Sequence, residues 1–270
     1  AAKKGIEFSK IDSDRYVCVS IGIKGDPHSN KASIDYNKCI NCGSCESICP
    51  EKAIHYAKVE KTKCIGCERC WKVCPRGAIT YVSEEKCLDE ILPQIVANGI
   101  DCIEFHVIGQ NEEEIFSKWD YINQIYNGIL SICVCRTKLS DETMIERIKK
   151  MIRGRKPYST IIQADGFPMS GGKDDYKSTL QAVATAEIVC NEQLPIYLML
   201  SGGTNTKTSK LAKICDIPYH GIAIGSYARK LVRNYMFDNR NNAEKIAKDA
   251  FECYGGFPAR ELKIFDLLKF

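Results

Sequence analysis

Short apolar runs alternate with helix-like segments along most of the chain. The strand-like runs cover residues 15–23, 100–108, 129–135, 159–165, 195–201 and 221–225. Helix-like segments follow the last five, and the one after 129–135 is predicted to begin at Ser140, because Asp141 and Glu142 follow this capping residue. Strands and helices alternating at intervals of about 25–35 residues predict an α/β fold with a parallel sheet.

The ends of the last two strand-like runs favour a (β/α)8 barrel over a doubly wound sheet. Small residues after the final two strands of such a barrel form a corner in which backbone N–H groups and a helix N-terminus bind phosphate. The alternative is that these glycine-containing loops only turn the chain. The residues predicted to bind a cofactor here, FMN or another phosphate-bearing ligand, are Asp165, Ser201, Gly202, Gly203, Thr204, Gly225, Ser226 and Arg229.

A closed barrel needs eight strands, whereas six are predicted. If the last two are the seventh and eighth, the first two would lie upstream of Ala1. The alternatives are an open barrel, or a barrel that a second polypeptide completes. We therefore expect a barrel-like domain that lacks its first two strands in this chain.

Polar residues within the strand-like runs predict a collar at one end of the barrel. If Ile103, Phe105 and Val107 face the helices, Glu104 and His106 face inward. We expect this collar to lie at the C-terminal mouth, where barrel enzymes build their sites; the alternative is that each polar group only satisfies a neighbour. The other members of the predicted collar are Arg136, Gln163, Asp165, Ser201 and Gly225.

Two cysteine motifs occur between the first two strand-like runs. Each has the spacing C-x2-C-x2-C-x3-C-P, and the second repeats the first 25 residues later. In bacterial-type two-cluster ferredoxins the fourth cysteine of each motif ligates the other cluster. We therefore predict two [4Fe–4S] clusters, one on Cys39, Cys42, Cys45 and Cys74, and the other on Cys64, Cys67, Cys70 and Cys49.

Structural zinc is the alternative for these cysteines. Zinc takes four tetrahedral ligands, usually from two separated cysteine pairs, and eight cysteines in two triple-plus-one motifs exceed that requirement. Ile40, Ile54, Ile65 and Ile79 are predicted to form an apolar shell around the clusters. The motifs therefore favour iron–sulfur clusters.

Composition narrows the class of protein further. The formal net charge of +4 and the absence of a basic run give no support to nucleic-acid binding. No apolar stretch is long enough to span a membrane. The eight cysteines outside the motifs are interpreted as buried reduced thiols, which predicts a reducing location, the cytoplasm or a plastid stroma.

The predicted domains are 1–27 and 84–270, which form the barrel-like part, and 28–83, an α+β ferredoxin-like domain inserted at the mouth.

Several stretches resemble a known family. DGFPMSGGKDD (165–175), LMLSGGTNTKT (198–208), GIAIGSYARK (221–230) and VSIGIKGDPHSNKASID (19–35) are similar to segments of the light-dependent period protein (LdpA) family of cyanobacteria and plastids. The resemblance implies an iron–sulfur protein that reports cellular redox state to the circadian input machinery. The regular ferredoxin-like motifs of this chain depart from the less regular cysteine pattern of the cyanobacterial members.

Three functions are compatible with these features. The first is electron relay or redox sensing with a protein partner linked to ferredoxin or quinone. The second is an oxidoreductase whose bound flavin or phosphorylated substrate receives electrons from the clusters; His106 or Asp165 would handle protons, and Arg136 or Arg229 would hold an anion. The third is a subunit of a larger electron-transfer assembly. No catalytic residue is assigned.

Overall fold

The computed structural model describes residues 16–23, 30–61, 63–64, 66–83, 88–107, 111–136, 139–166 and 175–223. The chain divides into two compact units. The smaller unit is formed by Gly22–Leu88, and the larger unit combines the residues up to Ile21 with those from Asp89 onward. In the chain, the smaller unit therefore lies between two parts of the larger one.

The described residues form ten strands and seven helices, numbered in chain order. The strands are β1 (Cys18–Ile21), β2 (Asn30–Ile34), β3 (Ile54–His55), β4 (Lys58–Val59), β5 (Ile79–Ser83), β6 (Cys102–His106), β7 (Ile129–Cys135), β8 (Thr160–Asp165), β9 (Tyr197–Ser201) and β10 (Gly221–Ile222). The helices are α1 (Ser44–Ile48), α2 (Arg69–Val73), α3 (Leu88–Ala97), α4 (Glu112–Ile125), α5 (Asp141–Ile152), α6 (Asp175–Asn191) and α7 (Thr208–Ile214).

The larger unit is a mixed α/β structure with one six-stranded sheet. The strand order is β1-β6-β7-β8-β9-β10, and every neighbouring pair is parallel. Among the described strands the order follows the chain without a reversal, so this part of the sheet has no switch point of the kind that defines a doubly wound sheet. Because crossover connections are right-handed, this order places successive helices on one face of the sheet. The predicted parallel α/β fold is confirmed.

The apolar face of the sheet packs against the helices. Phe105 of β6 is fully buried and stacks on Trp119 of α4, with ring centroids 6.2 Å apart. The indole N–H of Trp119 donates to the carbonyl oxygen of Met151 in α5 at 2.8 Å. These contacts join two helices to the sheet, and the alternation of apolar residues in β6 predicts this face correctly.

Capping side chains start two of these helices. Ser140 Oγ accepts a hydrogen bond from the Thr143 N–H at 3.2 Å, which confirms the predicted start of α5. Asn111 Oδ1 accepts from the Glu114 N–H at 3.1 Å at the start of α4. Both caps satisfy backbone donors that the helix itself leaves without acceptors.

The smaller unit is a repeat of two strand–helix–strand halves, β2–α1–β3 and β4–α2–β5. Antiparallel pairs form between β2 and β5 and between β3 and β4. The helices α1 and α2 are 25 residues apart, as the cysteine motifs are. The side chains of the two halves meet in a small buried cluster of Ala32, Ile34, Ile54, Cys70 and Ile79.

Some expectations differ from the structure or fall outside it. The pattern of the sequence did not predict α3, which contains Pro93. Ile54 and Ile79 are buried as expected, whereas Ile40 is 59% exposed and lines a cavity together with Ile79. Ile65, the helix-like segment predicted after 221–225 and residues 1–15 lie outside the described residues.

Candidate functional site

A solvent-open cavity on the smaller unit is lined by cysteines from both motifs: Cys39, Cys42, Cys45 and Cys74. Asn41 and Gly43 flank the second of them with φ angles of 56° and 73°. These left-handed conformations turn the backbone sharply. The structure thus brings three cysteines of the first motif together with the last cysteine of the second.

The second group of cysteines surrounds a buried thiol. Cys70 is 7% exposed. Burial raises the pKa of Cys70, and the neighbouring thiols of Cys67 and Cys64 raise it further. Cys49 and Cys64 both pack against the buried cluster of this unit. Three cysteines of the second motif are therefore neighbours, and Cys49 contacts the same core.

Backbone N–H groups point at several of these sulfurs. Ala53 donates to Cys49 Sγ at 3.2 Å, and Ala78 donates to Cys74 Sγ at 3.3 Å. These two bonds are equivalent in the repeat, since each joins the last cysteine of a motif to the residue four positions later. Hydrogen bonds to sulfur stabilise negative charge there and raise the reduction potential of a bound cluster.

Side-chain hydroxyls add one contact in each group. Ser44 Oγ lies 3.4 Å from Cys42 Sγ and lowers the pKa of that thiol. Tyr81 Oη lies 3.1 Å from Cys70 Sγ. Eight thiols with amide and hydroxyl donors around them fit the ligand requirements of iron–sulfur clusters, whereas one zinc ion would use only four.

A second group of polar residues lies on the face of the six-stranded sheet that is opposite to the helices. The strand register aligns His106 with Cys133, and Cys133 with Gln163. Asp165 is aligned with Ser201 on the next strand. The side chains of Glu104, His106, Gln163, Asp165 and Ser201 therefore share one sheet face, as the predicted collar requires.

These residues contact each other through a short network. His106 Nε2 lies 3.3 Å from Glu104 Oε2. Gln163 Nε2 donates to Glu104 and, at 2.9 Å, to Ser131 Oγ. The structure thus connects β6, β7 and β8 on this face.

Cys133 and Asp165 form a buried pair in the same network. Cys133 Sγ donates to Asp165 Oδ2 at 2.8 Å. Burial raises the pKa of both groups, because the charged form of each loses its hydration. No motif in the sequence singles out Cys133; the signal that points to it is its position between inward-facing residues of β7.

The glycine-rich end of β9 is packed tightly against the end of β8. Gly202 has a φ of 69°, and a Cβ atom there would lie 2.6 Å from the backbone nitrogen of Gly166. Thr204 Oγ1 donates to the Ala223 carbonyl at 2.6 Å. Asn205 Nδ2 donates to Thr179 Oγ1 of α6 at 2.9 Å. The close approach of two loops is therefore one physical reason for glycine in this motif.

The other predicted anion-binding residues have different positions. Arg136 makes a two-pronged ion pair with Asp141 at the start of α5, with distances of 2.7 and 3.0 Å. This pairing anchors the guanidinium group to the helix. Gly225, Ser226 and Arg229 lie outside the described residues.

The cysteine groups define an iron–sulfur protein, and comparison with known families agrees. Residues 32–81 match the 4Fe-4S dicluster domain family. Residues 94–254 match the Light dependent period A C-terminal domain, LdpA_C. Because this match covers more than half of the 270 residues, the chain belongs to the LdpA family. The resemblance predicted from the sequence is confirmed.

A search of curated proteins finds no match to the chain. Within the described ranges, no helix combines the length and apolarity needed to cross a membrane.

Proposed function

We propose that the chain binds two [4Fe–4S] clusters and acts in electron relay or redox sensing. Each cluster supplies one-electron transfer when bound. The observation that carries this proposal is the cavity lined by Cys39, Cys42, Cys45 and Cys74, because it combines ligands from both motifs. The second cluster is assigned to Cys64, Cys67, Cys70 and Cys49.

Metal and sulfide analysis under anaerobic conditions tests the cluster number. We expect about eight iron and eight acid-labile sulfide per chain, since each cluster contains four of each. Electron paramagnetic resonance after dithionite reduction should show two interacting signals. Negligible iron and sulfide in protected material would contradict the proposal, and half of the expected content would reduce it to one cluster.

Single cysteine variants test the crossed ligation. We expect Cys42→Ala and Cys74→Ala to remove the same resonance signal, and Cys67→Ala and Cys49→Ala to remove the other. Without crossing, Cys42→Ala would instead share its effect with Cys49→Ala. Cys215→Ala is the control and should leave both signals unchanged, because this cysteine lies outside the motifs and is exposed, contrary to the predicted burial.

A barrel-like architecture for the larger unit belongs to the same proposal. The uninterrupted strand order and the single helix-bearing face support it, because both are features of (β/α)8 barrels. The position of the smaller unit between β1 and α3 in the chain supports its interpretation as an inserted ferredoxin-like domain.

A redox partner protein completes the proposed role. The smaller unit exposes several large apolar side chains, a property of surfaces that bind other proteins. They are Tyr36, Ile40, Ile48, Tyr56, Trp71 and Val73. Family membership supports a partner in light or redox input, and a ferredoxin- or quinone-linked protein or a larger electron-transfer assembly fits this surface.

Cross-linking in the native extract followed by mass spectrometry tests whether a partner binds the smaller unit. Cross-links confined to the larger unit would contradict this proposal.

The polar sheet face favours a second candidate function, an oxidoreductase that binds a flavin or phosphate-bearing ligand. His106 and Asp165 would then handle protons at the face they share. Extraction of the purified protein and chromatography of the released compounds test this function. A flavin in a one-to-one ratio would support it, whereas a protein without flavin or organic phosphate would favour relay or sensing.

A further inference from the structure

We propose that Glu104, His106 and Cys133 form a mononuclear site for a divalent cation of the zinc class. The site lies on the polar face of the six-stranded sheet and is independent of the iron–sulfur clusters. The ligand atoms of the three residues all lie within 4.8 Å of one another. The carboxylate, imidazole and thiol offer one oxygen, one nitrogen and one sulfur, the donor types that zinc binds in proteins.

The spacing of the ligand atoms fits tetrahedral coordination. With zinc–oxygen and zinc–nitrogen distances of about 2.0–2.1 Å, two ligands at a tetrahedral angle are about 3.3–3.4 Å apart. The observed distance from His106 Nε2 to Glu104 Oε2 is 3.3 Å. The two groups are therefore already placed for one cation, and Cys133 Sγ lies within 4.8 Å of both ligand atoms.

Rigid strands hold the three ligands. Glu104 and His106 are two residues apart on β6, so both side chains project from the same face. Cys133 is the register partner of His106 on β7. A site on adjacent strands of one sheet keeps its geometry better than a site on loops, because the backbone hydrogen bonds fix the strand positions.

The charge balance of this face also favours a cation. Glu104 and Asp165 are two carboxyl groups on a buried surface, with side-chain exposure of 19% for Glu104 and residue exposure of 4% for Asp165. Burial of carboxylates is unfavourable unless an opposite charge compensates for it. A divalent cation provides more compensation than the single positive charge of a protonated His106. Binding displaces the thiol proton of Cys133, since the thiolate is the ligand, and Asp165 Oδ2, which accepts the thiol hydrogen bond at 2.8 Å, is placed to take this proton.

Neighbouring residues can position the ligands. Asp165 Oδ2 lies 2.8 Å from Cys133 Sγ, and Gln163 Nε2 donates to Glu104. Such outer partners orient the ligands of metal sites, and their loss weakens metal affinity about 10–100-fold. Asp165 and Gln163 are therefore positioning residues.

Zinc X-ray absorption spectroscopy on the full chain, loaded with clusters and then with zinc alone, tests the site. The method is specific for the element, so cluster iron does not interfere. We expect about one zinc per chain, with one sulfur at about 2.3 Å and the remaining ligands nitrogen or oxygen at about 2.0–2.1 Å. An all-sulfur environment would place the zinc in the cluster cysteines and overturn the proposal. Failure to retain zinc would also overturn it.

Variants locate the zinc independently of the spectrum. Cys133→Ser and His106→Gln should reduce bound zinc to near zero, with iron content unchanged. Cys135→Ser is the matched control, because this cysteine is also buried, two residues further along β7. Asp165→Asn should weaken zinc affinity about 10–100-fold with the same absorption spectrum. Equal zinc binding by Cys133→Ser and the control would contradict the site. If Cys133→Ser does not fold, the spectrum of the unaltered protein decides.

Discussion

At the residue scale, the two cysteine groups differ in the hydroxyl that contacts them. Tyr81 lies 3.1 Å from the buried Cys70, and Ser44 lies 3.4 Å from the exposed Cys42. A hydrogen bond to a ligand sulfur stabilises the reduced, more negative state of a cluster. The effect is larger where the sulfur is buried, because water does not compete for it.

Tyr81→Phe should therefore lower the reduction potential of the cluster that Cys70 ligates. The ring is retained and only the hydrogen bond is lost, so we expect a negative shift on the order of tens of millivolts. Anaerobic potentiometric titration followed by resonance spectroscopy measures this shift. Tyr36→Phe, the same change at an exposed tyrosine, should leave both potentials unchanged. An equal shift in both variants would disprove the role of the hydroxyl.

Gly202→Ala should destabilise the larger unit more than an alanine at an open left-handed glycine. A Cβ at Gly202 would meet the Gly166 backbone at 2.6 Å, whereas a Cβ at Gly99, also with positive φ, meets nothing within 4 Å. We expect a loss of about 1–2 kcal/mol for Gly99→Ala from strain alone and at least about 3 kcal/mol for Gly202→Ala. Denaturant unfolding curves give both values; similar losses would show that the close approach is unimportant.

His220 makes the stability of the larger unit dependent on pH. Burial lowers the pKa of His220 below 6.5, and its Nδ1 accepts a hydrogen bond from the Leu198 N–H at 3.0 Å. The folded state thus favours the neutral ring. The stability contribution is complete above pH 6.5 and is lost as the pH falls through the lowered pKa, because the unfolded chain then binds the extra proton.

Stability measurements between pH 7.5 and about 5 test this prediction. The wild type should lose stability on acidification, and His220→Asn should show a smaller loss because it does not titrate. His55→Gln removes an exposed histidine beside Glu46 and serves as the control with the slope of the wild type. A slope that is unchanged in His220→Asn would assign the pH dependence to other groups.

At the scale of elements, helix α5 depends on its first residue as well as on its buried face. Ser140→Ala removes the acceptor for the Thr143 N–H, so we expect a loss of about 1 kcal/mol in unfolding free energy. Ser117→Ala, at an exposed position within α4, should be neutral or slightly stabilising, because alanine favours helix. Urea unfolding followed by circular dichroism compares the two. A loss no larger in Ser140→Ala than in Ser117→Ala would contradict the capping role.

Elements with a strong local pattern could be predicted from the sequence. The strand β7 has the predicted bounds, and α5 begins after the predicted cap, because a run of β-branched residues and a capping residue act locally. The helix α3 was missed since Pro93 interrupts its pattern. The short strands of the smaller unit were also not predicted, because β2 pairs with β5 far along the chain and β3 and β4 contain only two residues each.

At the scale of the whole molecule, the two units have separate cores. Among the described residues of the smaller unit, the buried cluster contains five side chains, so bound metal should supply much of the folding free energy of this unit. The larger unit has an extensive apolar layer between sheet and helices. We therefore expect the units to respond differently to metal loss.

Removal of iron with a chelator under reducing conditions tests this expectation. Hydrogen exchange of amides in residues 30–83 should accelerate strongly, while amides of β6 to β8 keep their protection. Mass spectrometry of peptides from both units measures the difference in one sample. Equal acceleration in the two units would show that they fold as one cooperative structure.

The sequence by itself determined the two cysteine motifs, their repeat, the alternating strands and the family, since each depends on spacing along a short stretch of chain. Only the tertiary structure decided that cysteines of different motifs line one cavity, that Gly202 meets Gly166, and that Cys133 lies beside His106 and Asp165. These contacts join residues from separate strands or loops. Register and packing, rather than local pattern, bring them together.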